Sequence, residues 1–264
     1  MKQESKLDLS GERLGDYELL MRLASGGMGA VYVARAARQG GFERLFAVKC
    51  CHPFLLDDPT FLPMFMEEAR LSALVRHPNV VATVDVGEAH QVPYLVMEYV
   101  EGAPLASLLR HAVREKTPLP VGLVVRVIID ALHGLHATHE ACDLSGESLG
   151  LIHRDVSPQN LIVGLDGTTR LADFGVAKAA SRSSLTREGT IKGKFAYVAP
   201  EALRLEPVDR RADLFAIGVV LWEALESQRL FVGSSDPETL QRVLHLPVPQ
   251  LQAREGVTPG LEAI

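Results

Sequence analysis

Short apolar runs that alternate with polar positions dominate the first hundred residues of the sequence. Residues 17–23, 30–34 and 44–49 are rich in valine, leucine and aromatic side chains, and glycines and polar turns separate them. Such runs are typical of β-strands, and two more follow at residues 80–86 and 94–99. The pattern therefore predicts a small sheet.

One segment of the first hundred residues has helical periodicity instead. Its apolar residues recur every three to four positions over residues 61–76. The Asp-Pro pair at 58–59 suits a helix start, because aspartate caps the first turn and proline fits there, and His-Pro-Asn at 77–79 ends the helix. Residues 1–15 form a polar lead without a predicted element.

The pattern changes after residue 101, where longer periodic segments replace the short runs. Helices are predicted at residues 105–114, 121–139, 211–226 and 237–245, whereas the stretch 152–201 is too irregular to be plain helix. A β-rich part with one helix thus precedes a helical part, which is an α+β class of fold. The predicted parts of the chain are a lead (1–15), a first lobe (16–100) and a second lobe (101–264).

Composition places the chain among ordinary globular proteins. Of its 264 residues, 47% are hydrophobic and 23% are charged, values that disordered and collagen-like chains do not show. The net charge of −6 argues against a general nucleic-acid-binding protein, which would be basic. The cysteines Cys50, Cys51 and Cys142 have no metal-ligand spacing, and we expect them to be reduced packing residues.

Inspection of the sequence shows no membrane segment or secretory signal. Its best apolar stretch, residues 214–225, already includes Glu223 and falls short of the roughly 18 residues that a span needs. Residues 1–6 lack the apolar core of a signal peptide. We therefore expect a cytoplasmic protein with no membrane segment in this chain and no nucleic acid partner.

A glycine-rich turn lies between the first two predicted strands. Glycines let backbone amides approach phosphate oxygens because no Cβ is in the way, so the turn is a candidate phosphate-binding loop. An ordinary hairpin turn would have the same composition, and a dinucleotide-binding fingerprint would have to open a helix. The turn comprises Leu23, Ala24, Ser25, Gly26, Gly27, Met28, Gly29, Ala30 and Val31.

A lysine at the end of the third predicted strand, Lys49, has a candidate carboxylate partner. The predicted helix 61–76 carries Glu67 and Glu68, which point about 100° apart. The spacing to the end of the helix favours Glu68 as the partner and Glu67 as a surface residue. A lysine held by a carboxylate can present a fixed ammonium group to two phosphates.

Three further motifs follow in order: His-Arg-Asp-Val-Ser-Pro-Gln-Asn at 153–160, Ala-Asp-Phe-Gly at 172–175 and Ala-Pro-Glu at 199–201. With the glycine turn and the strand lysine, they make the chain resemble the protein kinase family from about residue 17 onward, in particular the eukaryotic-like Ser/Thr kinases of bacteria, in a myxobacterial-type pattern. The resemblance implies a two-lobed kinase fold with a β-rich first lobe and a helical second lobe.

The resemblance also implies a role for each polar residue of these motifs. Asp155 would orient the substrate hydroxyl and accept its proton, and Lys49, fixed by Glu68, would grip the α- and β-phosphates of ATP. Asn160 and Asp173 would hold Mg²⁺, or alternatively Mn²⁺, because such ions prefer oxygen ligands. ATP and a divalent cation are the expected cofactors, and proteins with Ser or Thr are the expected substrates.

An adenine pocket follows from the same resemblance. Met97 would guard its rear, and the backbone of Glu98 and Val100 would bond the edge of the base. Asp213 would tie the loop backbone to the central helix, and His153 would be a core histidine. The side chains expected above and below the base could equally be ordinary core residues; they are Val31, Ala47 and Ile162.

Three positions depart from the family pattern. Ala24 replaces a loop glycine at a modest conformational cost. Ser157 stands where a lysine usually contacts the γ-phosphate, and Lys194 stands where a threonine usually bonds Asp155. We hypothesise that Lys194 reaches Asp155 and the γ-phosphate and restores the cation lost at position 157, which would make it catalytic. A solvent-facing lysine is the alternative.

The polar segment 179–190 lies where the resemblance places the activation loop. A phosphate there could pair with Arg154, and Glu188 could supply part of the same charge. We favour Thr186 and then Thr190 as autophosphorylation sites. A flexible polar loop would have the same composition, and it also offers Ser181, Ser183 and Ser184.

The leading function is an active Mg-ATP-dependent protein Ser/Thr kinase whose substrates include its own activation loop. The alternative from another class is a pseudokinase, an ATP-binding scaffold. A small-molecule kinase is disfavoured by the Ala-Pro-Glu segment, and tyrosine specificity by the residues after His-Arg-Asp. The polar residues that argue against a pseudokinase are Lys49, Glu68, Asp155, Asn160 and Asp173.

The end of the chain also differs from the family pattern. The late arginine that usually pairs with Glu201 has no candidate in the final residues, so we expect the last helices of the second lobe to be missing. An unpaired and buried Glu201 would cost about 3–5 kcal/mol and would limit activity.

Overall fold

The structure of the chain, a computed structural model, describes residues 9–27, 29–37, 43–143, 145–173, 194–252 and 256–262. Contacts divide the chain into two compact units, Met1–Ala73 with Val81–Val100 and Leu74–Val80 with Glu101–Ile264. The first unit is rich in strands and the second in helices. The segment Leu74–Val80 belongs to the second unit, whereas the sequence pattern places it within the first lobe.

The first unit is built on an antiparallel sheet of six strands. The strands are β1 (Arg13–Leu14), β2 (Tyr17–Gly26), β3 (Gly29–Ala37), β4 (Glu43–Cys51), β5 (Thr83–Ala89) and β6 (Val92–Glu98). Their spatial order is β1-β2-β3-β4-β6-β5. The apolar runs predict all of them except β1, which lies in the part predicted to be a lead, and β5 begins later than its predicted start at residue 80.

Alternation along these strands separates two faces of the sheet. One face is a core of aromatic and aliphatic side chains, in which Tyr17 and Phe46 make an edge-to-face contact with 5.4 Å between ring centroids. The hydroxyl of Tyr32, in the same core, accepts a hydrogen bond from the backbone N–H of Leu9 at 3.2 Å. The other face is therefore available to the candidate site.

Helix α1 (Phe61–Leu74) follows β4 through a 3₁₀ turn at Pro53–Asp57. Oδ1 of Asp58 accepts a hydrogen bond from the backbone N–H of Thr60 at 2.9 Å, and the Asp58 carbonyl accepts one from Phe61 at 3.0 Å. The aspartate therefore organises the turn before the helix, but it is not the N-cap that the sequence predicts, and Pro59 precedes the first helical turn, because α1 begins at Phe61. The helix ends before the predicted limit at residue 76.

The second unit is mainly helical and includes a small sheet. Its elements are strands β7 (Gly102–Pro104), β8 (Leu161–Gly164) and β9 (Thr169–Leu171), and helices α2 (Leu105–Glu115), α3 (Val121–His139), α4 (Pro200–Leu203), α5 (Arg211–Glu226), α6 (Asp236–His245) and α7 (Pro259–Glu262). The predicted helices 121–139 and 211–226 match α3 and α5 residue for residue, because long apolar periodicities are distinctive. Strands β8 and β9 have four and three residues and are too short to show a period.

Helices α3 and α5 form the centre of the second unit. Val127 and Ala131 of α3 pack in one core with Val220 and Ala224 of α5. Of the helices that the structure describes, α3 has the length and apolar composition of a membrane span, whereas the sequence analysis singles out residues 214–225. One face of α3 is buried in this core, whereas Leu123, Ile129 and Leu132 of the same helix are exposed.

Candidate active site

The glycine-rich turn joins β2 to β3, and the reason for a glycine differs from one position of the turn to another. A Cβ on Gly29, whose φ is +155°, would overlap the backbone carbonyl of Cys50, so the fold requires this glycine. At Gly26 and Gly27 nothing lies within 4 Å of the place where a Cβ would stand. Their small size suits the close approach of a ligand. Met28 lies outside the described residues.

One face of the sheet carries side chains predicted to contact a nucleotide. Val31 lies opposite Lys49, and Ala47 lies opposite Met97, on neighbouring strands. Residues paired in this way share a face, as do alternate residues of one strand. Ala24 pairs with Val31 next to an irregularity in the strand register, and its φ is not positive, so the alanine is not in the left-handed conformation that would require glycine.

Lys49 forms a buried ion pair with helix α1. Its Nζ lies 3.4 Å from Oε1 of Glu68, and only 8% of Lys49 and 3% of Glu68 are exposed. Glu67 is exposed and instead pairs with Arg70 at 2.7 Å, and the hydrogen bond from Arg70 lowers the pKa of Glu67. Of the two glutamates, Glu68 is therefore the partner that holds the ammonium group.

The end of strand β6 carries the segment predicted to bond adenine. The backbone N–H of Glu98 donates to the carbonyl of Ala82 at 2.9 Å. Because that amide is engaged, the carbonyl of Glu98 is the group suited to the adenine edge, and the half-buried Val100 follows it. Met97, which precedes them, is buried, as a residue at the rear of a pocket would be.

In the second unit, Asp155 and Asn160 are hydrogen-bonded to each other. Nδ2 of Asn160 donates to Oδ2 of Asp155 at 2.8 Å and to the Asp155 carbonyl at 2.7 Å. The backbone N–H of Asp155 donates to Nδ1 of the buried His153 at 3.3 Å. With its amide nitrogen engaged in this way, Asn160 keeps its oxygen Oδ1 for a cation.

Asp213 of α5 holds the same loop through its backbone. Its carboxylate accepts hydrogen bonds from the N–H groups of His153 and Arg154, both at 2.8 Å, and from Nε2 of His139 at 2.8 Å. Burial by itself raises the pKa of Asp213, but these hydrogen bonds and the nearby His153 outweigh it and lower the pKa. Arg154 has a φ of +63°, a conformation that needs such anchoring.

Asp173 follows strand β9 and has a left-handed backbone with a φ of +64°. The N–H of Ala172, just before it, donates to the carbonyl of Asn160 at 2.8 Å. The two predicted metal ligands are therefore tied together through the backbone. Ile162, predicted to lie beneath adenine, is half-buried on β8.

The residues present fit a magnesium ion that is shared with a nucleotide. Asn160 and Asp173 offer amide and carboxylate oxygens, which Mg²⁺ prefers. Within the described ranges, no group of three or more His, Cys, Asp or Glu side chains could hold a metal ion. Mg²⁺ commonly binds through one or two protein carboxylates together with substrate phosphates, so the set is of the right kind.

The structure describes the side chain of Ser157 but not that of Lys194, the two departures from the family pattern that concern the γ-phosphate. Ser157 is 4% exposed, and its Oγ has no hydrogen-bond partner in the part of the chain that the structure describes. Lys194 begins the 3₁₀ turn Lys194–Tyr197, but its side chain lies outside the described residues, so its contact with Asp155 stays a prediction. The activation-loop residues also lie outside them: Ser181, Ser183, Ser184, Thr186, Glu188 and Thr190.

The condition under which Glu201 was expected to be costly, a buried charge without a partner, is not met in the described residues. Glu201 is half-buried, lines a cavity of about 580 Å³ together with Arg211, and interacts favourably with the Arg211 charge. The cost of a buried unpaired charge therefore does not apply. A second buried carboxylate of α5, besides Asp213, is Glu223, which accepts a hydrogen bond from the Tyr197 hydroxyl at 2.7 Å and lies 3.3 Å from Arg229.

Three polar residues that organise the second unit are not predicted from the sequence: His139, Asp130 and Asn79. His139 lies four positions after the buried Leu135 on α3, and this helical spacing is a signal that could have found it. Asp130 is buried within an otherwise apolar stretch of the same helix. Asn79 is visible in the sequence only as part of a helix stop.

Known proteins match almost the whole chain. The family model described as Protein kinase domain matches residues 17–255. Tyrosine-protein kinase MasK of Myxococcus xanthus is 42% identical over 251 residues, which cover 95% of this chain and 39% of that protein. Serine/threonine-protein kinase PknB of Mycobacterium leprae is 36% identical over 254 residues, which cover 94% of this chain and 38% of that protein.

The crystal structure of a point mutant of the PknI kinase domain of Mycobacterium tuberculosis is also similar. The TM-score is 0.65 at 26% sequence identity, and the match covers 91% of this chain and 81% of that one. The likeness therefore extends over the strands of the first unit and the helices of the second. The chain spans only about two fifths of the length of the two curated relatives.

Proposed function

Because this chain belongs to the protein kinase family and has the β-rich and helical parts of that fold, we propose that it transfers the γ-phosphoryl group of ATP to serine and threonine hydroxyls of proteins. The observation that carries the proposal is the presence of five polar groups with a role in this transfer. The set comprises the Lys49–Glu68 pair, the Asp155–Asn160 pair and Asp173.

Lys49 binds the α- and β-phosphates in this proposal. Glu68 holds the ammonium group in a buried environment, so the lysine side chain loses little freedom when the phosphates arrive, and such preorganisation strengthens binding. The backbone amides near Gly26 and Gly27, where the structure leaves room, take phosphate oxygens.

Asp155 orients the acceptor hydroxyl and accepts its proton. The hydrogen bond from Asn160 fixes the carboxylate at 2.8 Å, and positioning of this kind supplies most of the catalysis in phosphoryl transfer. Asn160 and Asp173 would hold Mg²⁺, which neutralises charge on the phosphates when it is bound. Each of these polar groups thus has a defined task in the proposed reaction.

A second candidate acceptor is tyrosine. The relative that is 42% identical is named a tyrosine-protein kinase, whereas the PknB relative at 36% is named a serine/threonine-protein kinase. Ser157 is also shorter than the lysine that the Ser/Thr kinases usually have at this position. A shorter side chain two residues after Asp155 leaves more room for a large acceptor.

Acceptor analysis distinguishes these candidates. The purified chain is incubated with γ-labelled ATP, Mg²⁺ and a mixture of protein substrates, and the labelled amino acids are separated after hydrolysis. We expect phosphoserine and phosphothreonine. Phosphotyrosine alone would assign the chain to the second candidate, and ATP binding without any transfer would support the pseudokinase alternative.

We also propose that the chain phosphorylates its own activation loop at Thr186 or Thr190. Arg154 is exposed beside the catalytic aspartate and is suited to pair with such a phosphate. Mass mapping of residues 179–190 in active protein tests this proposal, with Thr186→Ala and Thr190→Ala as controls. Active protein that has no phosphate in this segment would contradict it.

A further inference from the structure

The strand that precedes Asp173 is held by hydrogen bonds from two directions. From α3, Oδ2 of Asp130 accepts the backbone N–H of Thr169 at 2.9 Å. From the segment Leu74–Val80, Nδ2 of Asn79 donates to the carbonyl of Thr169 at 2.9 Å, and the carbonyl of Asn79 accepts the N–H of Leu171 at 2.8 Å. Asn79 therefore holds both ends of β9.

Asn79 is itself held firmly in place. It is 6% exposed, and its backbone N–H donates to Nδ1 of His77 at 3.2 Å. A Cβ on Gly134 of α3 would lie 2.5 Å from the Asn79 carbonyl oxygen, so the helix packs directly against this backbone. Because Asn79 is fixed in this way, its hydrogen bonds also fix the position of β9.

Asp173 needs such support because of its backbone conformation. Its φ of +64° places a non-glycine residue in the left-handed region, which is unfavourable and persists only where the surroundings impose it. The two residues before it have their N–H groups bonded, Leu171 to Asn79 and Ala172 to Asn160. These two bonds are the anchors immediately upstream of the strained residue.

We propose that Asn79 is a positioning residue for phosphoryl transfer, which fixes β9 and thereby holds the Asp173 carboxylate where it binds the divalent cation. The inference rests on the proposed function for the role of Asp173. Residues that orient a metal ligand without touching the metal typically contribute about 10–100-fold in metal affinity or activity.

The variant Asn79→Ala removes the side-chain bond to Thr169 and leaves the backbone bond to Leu171. We expect the Mg²⁺ concentration for half-maximal rate to rise, and kcat to fall, by at least about tenfold. The KM for a protein substrate should change little, since Asn79 acts on the metal ligand. Loss of stability alone would not raise the Mg²⁺ requirement while leaving the KM for the protein substrate unchanged.

Thr239→Val is the matched control. Thr239 is 1% exposed on α6, and its hydroxyl makes two hydrogen bonds of 3.0 Å, with the N–H of Gly233 and the carbonyl of Ser235. The control thus loses buried hydrogen bonds on a helix that carries none of the site residues. We expect a lower Tm with an unchanged Mg²⁺ dependence.

The variant Gly134→Ala tests the positioning role of Asn79 through its backbone. The added methyl group would displace the Asn79 carbonyl without altering the Asn79 side chain, and alanine is otherwise favourable within a helix. We expect the same rise in Mg²⁺ requirement. This variant keeps the inference testable if Asn79→Ala does not fold.

The two hypotheses can fail separately. A wild-type chain that transfers no phosphate refutes the proposed function, and the positioning role is then measured by the gain in ATP affinity that Mg²⁺ produces. We expect that gain in the wild type and in Thr239→Val, and its loss in Asn79→Ala and Gly134→Ala. An unchanged Mg²⁺ dependence in the two latter variants, with only a lower Tm, would overturn the inference.

Discussion

Individual buried charges position the candidate site, and each has a specific partner. Lys49 is held by Glu68, and the Asp213 carboxylate collects N–H donors from the loop around Asp155. Because a buried charge without its partner is destabilising, these contacts stabilise the fold, and in the proposed function they also position the site residues. Single substitutions can separate the two contributions.

Glu68→Gln should lower turnover by at least about tenfold, or roughly 1.4 kcal/mol of transition-state stabilisation, because Lys49 loses the anion that fixes it. Steady-state kinetics with ATP as the varied substrate measure the effect. The neighbouring Glu67→Gln is the matched control: it removes an exposed pair worth about 0–1 kcal/mol and should leave turnover unchanged. Equal losses in both variants would contradict the assignment of Glu68.

Asp213→Asn should destabilise the protein by about 2–4 kcal/mol at neutral pH. The folded state lowers the pKa of Asp213 from its ordinary value of 3.8. The carboxylate therefore stabilises the fold above that value, and the contribution is lost as the pH falls through the lower folded pKa. Denaturant unfolding across acidic pH measures this dependence.

The exposed Asp209, which pairs with Arg211, supplies the control Asp209→Asn. We expect the stability difference between wild type and Asp213→Asn to narrow at acidic pH, and the control to unfold like the wild type at neutral pH, because exposed ion pairs contribute little to stability. A difference for Asp213→Asn that does not vary with pH would show that its charge is not responsible.

Much of the site could be predicted at the scale of residues, but its long-range partners could not. The motifs indicate Lys49, Asp155 and Asn160 because their residue types and order are distinctive. The bond between His139 and Asp213 joins residues 74 positions apart, and the sequence does not show which distant polar groups meet. The sequence likewise does not show that Arg211 lies near Glu201.

At the scale of elements, the hairpin β2–β3 contains two glycines with different expected roles. Gly29 is needed for the fold, and Gly26 is expected to make room for ATP. Gly29→Ala should destabilise the protein by about 1–3 kcal/mol, since the new Cβ would press on the Cys50 backbone. Gly26→Ala should change the free energy of unfolding by less than about 0.5 kcal/mol and weaken ATP binding. Thermal unfolding and ATP titration of both variants measure the two effects, and the reverse pattern would contradict the assignment.

Helix α5 and the 3₁₀ turn Lys194–Tyr197 are joined by a buried carboxylate. Burial raises the pKa of Glu223, although Arg229, the Tyr197 hydroxyl and the N–H of Leu230 oppose the shift. Glu223→Ala should cost about 3–5 kcal/mol, whereas Glu223→Gln, which keeps the shape without the charge, should cost less than half as much. Chemical denaturation measures both, and equal costs would contradict the importance of the polar contacts.

Element boundaries follow the sequence pattern where the pattern is long. Helices α3 and α5 have their predicted bounds, whereas the short strands β8 and β9 depend on contacts with other elements. Strand β9 is held by Asn79 and Asp130, and no periodic pattern in the sequence predicts either hydrogen bond.

At the scale of the whole molecule, the division of the chain follows spatial contacts and not sequence order. The segment Leu74–Val80 belongs to the second unit although strands of the first unit flank it in sequence. Composition and motifs predict a kinase with a β-rich and a helical part, but they could not assign this segment, because its bonds with β9 span about ninety residues.

The most direct test is γ-phosphate transfer from ATP by this chain, compared with Asp155→Asn under identical Mg²⁺ conditions. The substitution keeps the size of the side chain and removes the carboxylate that takes the hydroxyl proton. We predict transfer to protein by the wild type, at least about a hundredfold slower transfer by the variant, and ATP binding by both. Equal rates in the two proteins, or ATP binding without transfer by the wild type, would contradict the account.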